Sequence, residues 1–156
     1  MTLQDTPANE HTVDAVVIGL GPGGEEVASR LARGGWSVLA VETHLVGGEC
    51  PYYGCIPSKM MLHESRKPGA SWPRVARRIR EEATDDWDDA VAVERLTGTG
   101  ARFVRGRAEI SGGPGSAPAP DGTGVTVTPD DGGPVQTWTA RRAVVLNTGS
   151  EAVRIP

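Results

Sequence analysis

An α/β fold, built as a parallel sheet flanked by helices with an antiparallel β-meander attached, is what this 156-residue sequence predicts. Three observations predict it. An apolar run ends in a glycine-rich turn that opens a helix, a second apolar run follows that helix, and beyond residue 101 the pattern turns from helical to strand-like. Strand, tight turn, helix and strand make up the first unit of a parallel α/β sheet.

Residues 13–18 read as a short buried strand, and the turn Gly19-Leu20-Gly21-Pro22-Gly23-Gly24 follows at once. A helix over 22–33 has Val27 and Leu31 four apart on one face with Ala28 and Ala32 beside them. Gly34 and Gly35 stop it. Residues 36–41 form the second buried strand, with Glu42 at its end. Helices are predicted over 55–64, 72–82 and 85–96, the last capped by Asp85 or Asp86. Strands follow over 102–110, 125–128 and 135–139, with Asp130-Asp131-Gly132-Gly133 as a hairpin turn. A last buried strand, 143–146, runs into Thr148-Gly149-Ser150. Residues 1–12 read as a flexible polar start, 13–156 as one domain, and 111–124 as a mobile Gly/Pro/Ala/Ser loop.

A formal net charge of -4 leaves no basic footprint for nucleic acid or an anionic membrane. Arg74, Arg77, Arg78 and Arg80 lie beside an acidic stretch and read as a solvated helix surface. No apolar run approaches the about 18 residues needed to span a bilayer, and no secretory signal opens the chain, so a cytoplasmic address is expected. In that reducing setting two cysteines are more often catalytic or metal-binding than structural. Asp85, Asp86, Asp88 and Asp89 read as caps and solvated charge, lacking the spacing of a calcium loop. Trp36, Trp72, Trp87 and Trp138 read as packing residues, and His11, His44 and His63 as exposed or locally bonded.

Gly19, Gly21 and Gly24 form G-x-G-x-x-G between a strand and a helix, the context in which this motif binds dinucleotides. The helix start offers free N–H groups and a partial positive charge to phosphates. Glu42, 18 residues beyond Gly24, stands where an acid receives ribose hydroxyls. The turn does not distinguish FAD from NAD, because both present the same adenosine diphosphate.

Cys50 and Cys55 are five positions apart at a helix start. On an unbroken helix that separation is about 140° around the axis and about 7.5 Å along it, which opposes a disulfide, whose Cα atoms lie roughly 4.4–6.8 Å apart. Pro51 and Gly54 offer ways to break the helix and bring the sulfurs together. At the helix N-terminus the Cys55 thiolate is favoured by the local positive potential. Two unrelated buried cysteines are the plain alternative, and Cys50, Cys55, His44 and His63 lack a familiar metal-ligand spacing, so no metal is expected.

The run from Gly47 to Lys59, G-G-x-C-x-x-x-x-C-I-P-S-K, taken with Gly19 to Gly24, Glu42 and Thr148-Gly149-Ser150, resembles the class I pyridine nucleotide-disulfide oxidoreductases. That family includes dihydrolipoamide dehydrogenase, mercuric reductase and glutathione reductase. The resemblance implies a Rossmann-like FAD/NAD(P)-binding fold and a redox-active Cys50–Cys55 disulfide. Cys50 would exchange with the thiol or disulfide substrate, Cys55 would contact the flavin, and Lys59 would lie near the flavin's reactive nitrogen. It places FAD against Gly19, Gly21, Pro22, Gly23, Gly24, Glu42 and Thr43. Gly48, Glu49, Cys50, Cys55, Lys59, Thr148 and Gly149 complete the implied site.

The implied function passes electrons between NAD(P)H, FAD, the cysteine pair and an unidentified acceptor. The family's nicotinamide-binding domain, returning FAD segment and interface domain, which carries the catalytic histidine and makes the homodimer, are expected outside these residues. Pro51, Tyr52 and Tyr53 depart from the smaller residues of familiar members and bear on access to Cys50. Asn147 stands where alanine is usual. Two other readings remain: a non-catalytic dinucleotide-binding module, and a thiol redox sensor that works without flavin.

Overall fold

The computed structural model describes residues 11–111 and 121–150. Five strands and five α-helices follow in chain order among them: β1 Thr12–Ile18, α1 Pro22–Arg33, β2 Val38–Glu42, α2 Glu49–Tyr52, α3 Cys55–Ser65, α4 Trp72–Arg78, α5 Ala90–Thr97, β3 Arg102–Ile110, β4 Thr123–Pro129 and β5 Gln136–Leu146. The predicted flexible start and the loop 111–124 lie largely outside the described residues. At their edges Thr12 belongs to β1, and Thr123 and Gly124 belong to β4.

The parallel part of the sheet joins β1 to β2, β2 to β3 and β1 to β5. The antiparallel meander joins β3 to β4 and β4 to β5. Two long strands serve both parts. Residues 102–105 of β3 pair with β2 while 106–110 pair with β4, and β5 pairs with β4 through its first half and with β1 from Thr139 onward. The ladder therefore closes into a ring, β1-β2-β3-β4-β5 and back to β1.

The sequence predicted two strands, 135–139 and 143–146, where the structure has the single strand β5. The register explains the difference: Val13 faces Ala140 but Ala15 faces Ala143, so one extra residue is accommodated at Arg141-Arg142. Both arginines reach the Asp14 carboxylate, at 3.2 and 3.3 Å, and the Ser37 N–H and hydroxyl donate to it at 2.9 Å. These donors and charges hold the Asp14 carboxyl below its ordinary range, the Ser37 hydrogen bonds foremost.

β1 and β2 are buried on both faces, which is why they read as continuous apolar runs. Val16, Ile18, Leu39 and Val41 point into the space enclosed with Val125, Val127 and Trp138 of the meander. Val17, Val38 and Ala40 point the other way, under Ala28 of α1 and Ala92 and Leu96 of α5.

The helical stretches after residue 72 differ from prediction. α4 ends at Arg78 and gives way to a π-helical turn, Ile79–Ala83. Asp85, Asp86 and Trp87 then adopt left-handed backbone, with φ of 49°, 54° and 59°. The helix predicted from 85 begins at Ala90, since three left-handed residues cannot join a right-handed helix. The N-cap position belongs to Asp89, not to Asp85 or Asp86, and its side chain makes no cap. Asp89 is buried and accepts from the Val46 N–H and from Arg105, both at 2.6 Å, so it is not solvated charge.

Candidate functional site

β1, β2 and β5 end side by side, at Ile18, Glu42 and Leu146. Outside the carboxyl ends of parallel strands is where open α/β sheets bind ligands. A cleft of about 1380 Å³ lies there. Of the residues singled out from sequence, Gly19, Gly21, Pro22, Glu42, Thr43, Gly48, Glu49, Cys50, Cys55, Thr148 and Gly149 line it. Gly23, Gly24 and Lys59 do not: Gly24 is buried, while Gly23 and Lys59 are exposed.

The glycine turn is made by backbone packed on backbone. Gly19 has φ of 89°, and a Cβ on it would lie 2.3 Å from the Asn147 carbonyl oxygen. A Cβ on Gly24 would lie 2.0 Å from the Gly19 carbonyl oxygen, so α1 can start this close to β1 only with glycine there. The Gly47 N–H donates to the Leu20 carbonyl at 2.7 Å, which ties the segment leading to the cysteines onto the turn. The Glu42 carboxylate accepts from the Leu20 N–H at 2.5 Å and the His44 N–H at 2.9 Å. It thereby braces the turn while lining the cleft, with acceptor capacity left for a ligand.

The cysteines come together because their helix is broken. Cys50 lies in the one-turn α2, Gly54 has φ of -119° and ψ of -99°, and Cys55 is the first residue of α3. Both are free thiols, Cys50 half-buried and Cys55 exposed. The neighbouring Cys55 side chain, followed by burial, pushes the Cys50 thiol up while the Lys59 ammonium pulls it back. The pair thus sits at the N-terminus of an 11-residue helix, with a lysine one turn on.

α3 buries little; Ile56, Met61 and Leu62 are exposed and only Glu64 is buried. Glu64 pairs with Lys67 at 2.5 Å and with Arg78 of α4. These two cations hold its carboxyl down at about 2, against desolvation. Arg78, also bonded to Glu82, is therefore a tether rather than part of a solvated surface.

Several cleft residues escaped the sequence reading. Trp87, taken for packing, lines the cleft, and its indole N–H donates to the Tyr52 carbonyl at 3.2 Å. Tyr52 is buried, and burial together with Asp89 and Glu25 raises its phenol. Tyr53, which the sequence did single out for its bearing on access to Cys50, is exposed in the cleft. Arg105 also lines the cleft, and its second terminal nitrogen is buried with no hydrogen-bond partner among the described residues. No local motif marks Trp87 or Arg105, since a left-handed turn brings one and the β2–β3 pairing the other. Among the described residues, no group of three or more His, Cys, Asp or Glu is placed to hold a metal, and no helix is long and apolar enough to cross a membrane.

The sequence model of the pyridine nucleotide-disulphide oxidoreductases matches residues 13–156. The chain belongs to this family. As a member it is 33% identical over 150 residues to dihydrolipoyl dehydrogenase of Bacillus subtilis (strain 168), a match covering 92% of this chain and 31% of the relative. It is 30% identical over 164 residues to the dihydrolipoyl dehydrogenase of Chlorobaculum parvum, covering 99% and 34%. The chain thus spans about a third of the length of the curated relatives it matches. Among solved structures it is similar to the HOCl-induced flavoprotein disulfide reductase RclA from Escherichia coli, as a Cu(II) complex, with TM-score 0.73, 24% identity, and 93% of this chain and 30% of that one covered. LpdA from Mycobacterium tuberculosis gives TM-score 0.69 at 23% identity, covering 92% and 33%. At these identities the structural likeness establishes the Rossmann-like fold of the oxidoreductase family, with its mixed sheet.

Proposed function

We propose that this chain is the FAD-binding, redox-dithiol portion of a flavoprotein disulfide oxidoreductase. The observation that carries the reading is that two free thiols, Cys50 and Cys55, line the same cleft as the G-x-G-x-x-G turn. The site fits FAD in three respects. Its volume of about 1380 Å³ exceeds the roughly 300–1,000 Å³ of ordinary ligand pockets, as an extended dinucleotide requires. The backbone around Gly19 and Gly24 leaves no room for side chains at the phosphate end, and Arg105 keeps a buried donor without a hydrogen-bond partner among the described residues.

Bound there, FAD would supply two-electron chemistry, which belongs to the cofactor. The chain's own residues would do the rest. The turn and the start of α1 would hold the pyrophosphate, and Glu42, with Thr43 beside it, the ribose. Gly48, Glu49, Thr148 and Gly149 would line the remaining length. Two electrons and two protons convert a Cys50–Cys55 disulfide to the dithiol seen here. In the dithiol, the Lys59 ammonium opposes the rise of the Cys50 thiol. Cys50 would exchange with the acceptor and Cys55 would face the flavin. NAD(P)H as donor, bound by a further domain, and a homodimeric assembly would complete the enzyme, a reading that family membership supports, and a cytoplasmic setting suits a working dithiol.

The test is reconstitution with FAD followed by thiol titration of the oxidised and reduced protein. Retained flavin and two additional titratable thiols after reduction are expected. Thiols that cycle equally well in flavin-free protein would favour the sensor reading instead.

A further inference from the structure

Asn147 follows β5, and its N–H donates to the Ile18 carbonyl at 2.8 Å, which fixes the residue beside the glycine turn. Its side-chain amide reaches across that turn. Cβ atoms built on Gly21 and Gly24 would lie 3.2 and 3.0 Å from its Nδ2, and one on Gly23 would lie 3.0 Å from its Oδ1. The amide thus fills the space that three glycines leave at the start of α1. It is half-buried, it lines the cleft, and its side chain makes no hydrogen bond among the described residues.

Packing alone is a poor use of an amide here. A half-buried polar group without a partner costs stability unless a ligand or water satisfies it. No lysine or arginine lies within residues 19–24, so the turn itself offers an anion N–H donors and the helix dipole. An amide Nδ2 beside those N–H groups adds a neutral donor where the negative charge would rest, and hydrogen bonds to charged oxygens are the stronger kind.

We infer that Asn147 is a further cofactor-contact residue whose Nδ2 donates to a pyrophosphate oxygen of the bound dinucleotide. This rests on the FAD reading above. The residue does not touch the cysteine pair, so its contribution is to affinity at the phosphate end and not to the redox step.

The experiment measures ADP binding by calorimetry to the wild type and to Asn147→Ala, Asn147→Leu and Asn147→Asp, with melting temperatures to confirm folding. Asn147→Leu keeps the volume of the side chain and removes the donor. It should weaken ADP about 10-fold, as should Asn147→Ala, in line with the loss of one hydrogen bond to a charged group. Asn147→Asp should weaken ADP further, since its carboxylate faces the phosphates. Wild-type affinity in Asn147→Leu would mean that the side chain only fills space and would overturn the proposal, as would an Asn147→Asp variant that binds as well as Asn147→Ala. If Asn147→Leu proves unstable, the order of Asn147→Ala and Asn147→Asp still decides. A wild type that binds neither ADP nor FAD would instead sink the underlying cofactor reading.

Discussion

The two ends of the cleft are built by different means. At the phosphate end, backbone lies on backbone: Gly24 against the Gly19 carbonyl, Gly19 against the Asn147 carbonyl, and the Gly47 N–H on Leu20. At the thiol end, α2 and α3 are held by side chains. Tyr52 of α2 is buried with Asp89 and Glu25 near its phenol, Trp87 is bonded to its carbonyl, and Glu64 is clamped by Lys67 and Arg78. A cradle of backbone contacts tolerates no added atom, whereas an arm held by side chains can be loosened one tether at a time. The difference suits the two tasks, since phosphates need a fixed surface and a dithiol must open and close a bond between two sulfurs.

The largest effect is expected where backbone meets backbone. Gly24→Ala places a Cβ 2.0 Å from the Gly19 carbonyl oxygen, so α1 must shift off β1. A loss of roughly 3 kcal/mol, at the upper end for overpacking, should appear in denaturant unfolding together with loss of ADP binding. Survival of both would contradict the rigid cradle.

Tyr52→Ala attacks the other end. Removing a buried ring costs roughly 3 kcal/mol in a core, and less here because the site borders the cleft. Thiol alkylation of Cys50 should speed up while ADP affinity stays within about twofold. A matching fall in ADP affinity would show that the two ends are not separable.

Glu64 gives a smaller, pH-dependent effect. Its carboxyl is lowered from 4.5 to about 2 by Lys67 and Arg78. The stability it contributes is therefore complete above about pH 4.5 and is lost as pH falls toward 2. Glu64→Gln should flatten that part of the melting temperature against pH and speed amide exchange in α3, leaving β1 and β2 unaffected. An unchanged acid slope would remove Glu64 from its tethering role.

The phosphate end was also the more legible of the two in sequence. Strand, G-x-G-x-x-G, helix and Glu42 are a local pattern, and sterics leave such a turn few conformations, so the helix stands at 22–33 as read and the two strands, read as 13–18 and 36–41, lie at Thr12–Ile18 and Val38–Glu42. The cysteine run was equally plain as a motif, and the break at Gly54 was foreseeable from Pro51 and Gly54. The supports of the thiol end were not legible. Trp87 arrives through three consecutive left-handed residues that no glycine announces, and Asp89 reads as one of four solvated aspartates until Arg105 and the Val46 N–H are brought to it by the fold. β5 was divided in two because Arg141-Arg142 interrupts its apolar pattern, and the pairing of both with Asp14 depends on β1 lying alongside. Contacts made through strand register leave no mark in a window of neighbouring residues.

The smallest change to the fold carries the most direct test. Cys55→Ser at an exposed helix start should alter stability by under about 0.5 kcal/mol. Stepwise dithionite reduction of the FAD-loaded protein, followed by absorbance, should give a long-wavelength charge-transfer band at two electrons that is absent from Cys55→Ser and retained in Cys50→Ser. Bound flavin that passes straight to full reduction without such a band in the wild type would contradict a working flavin–dithiol pair.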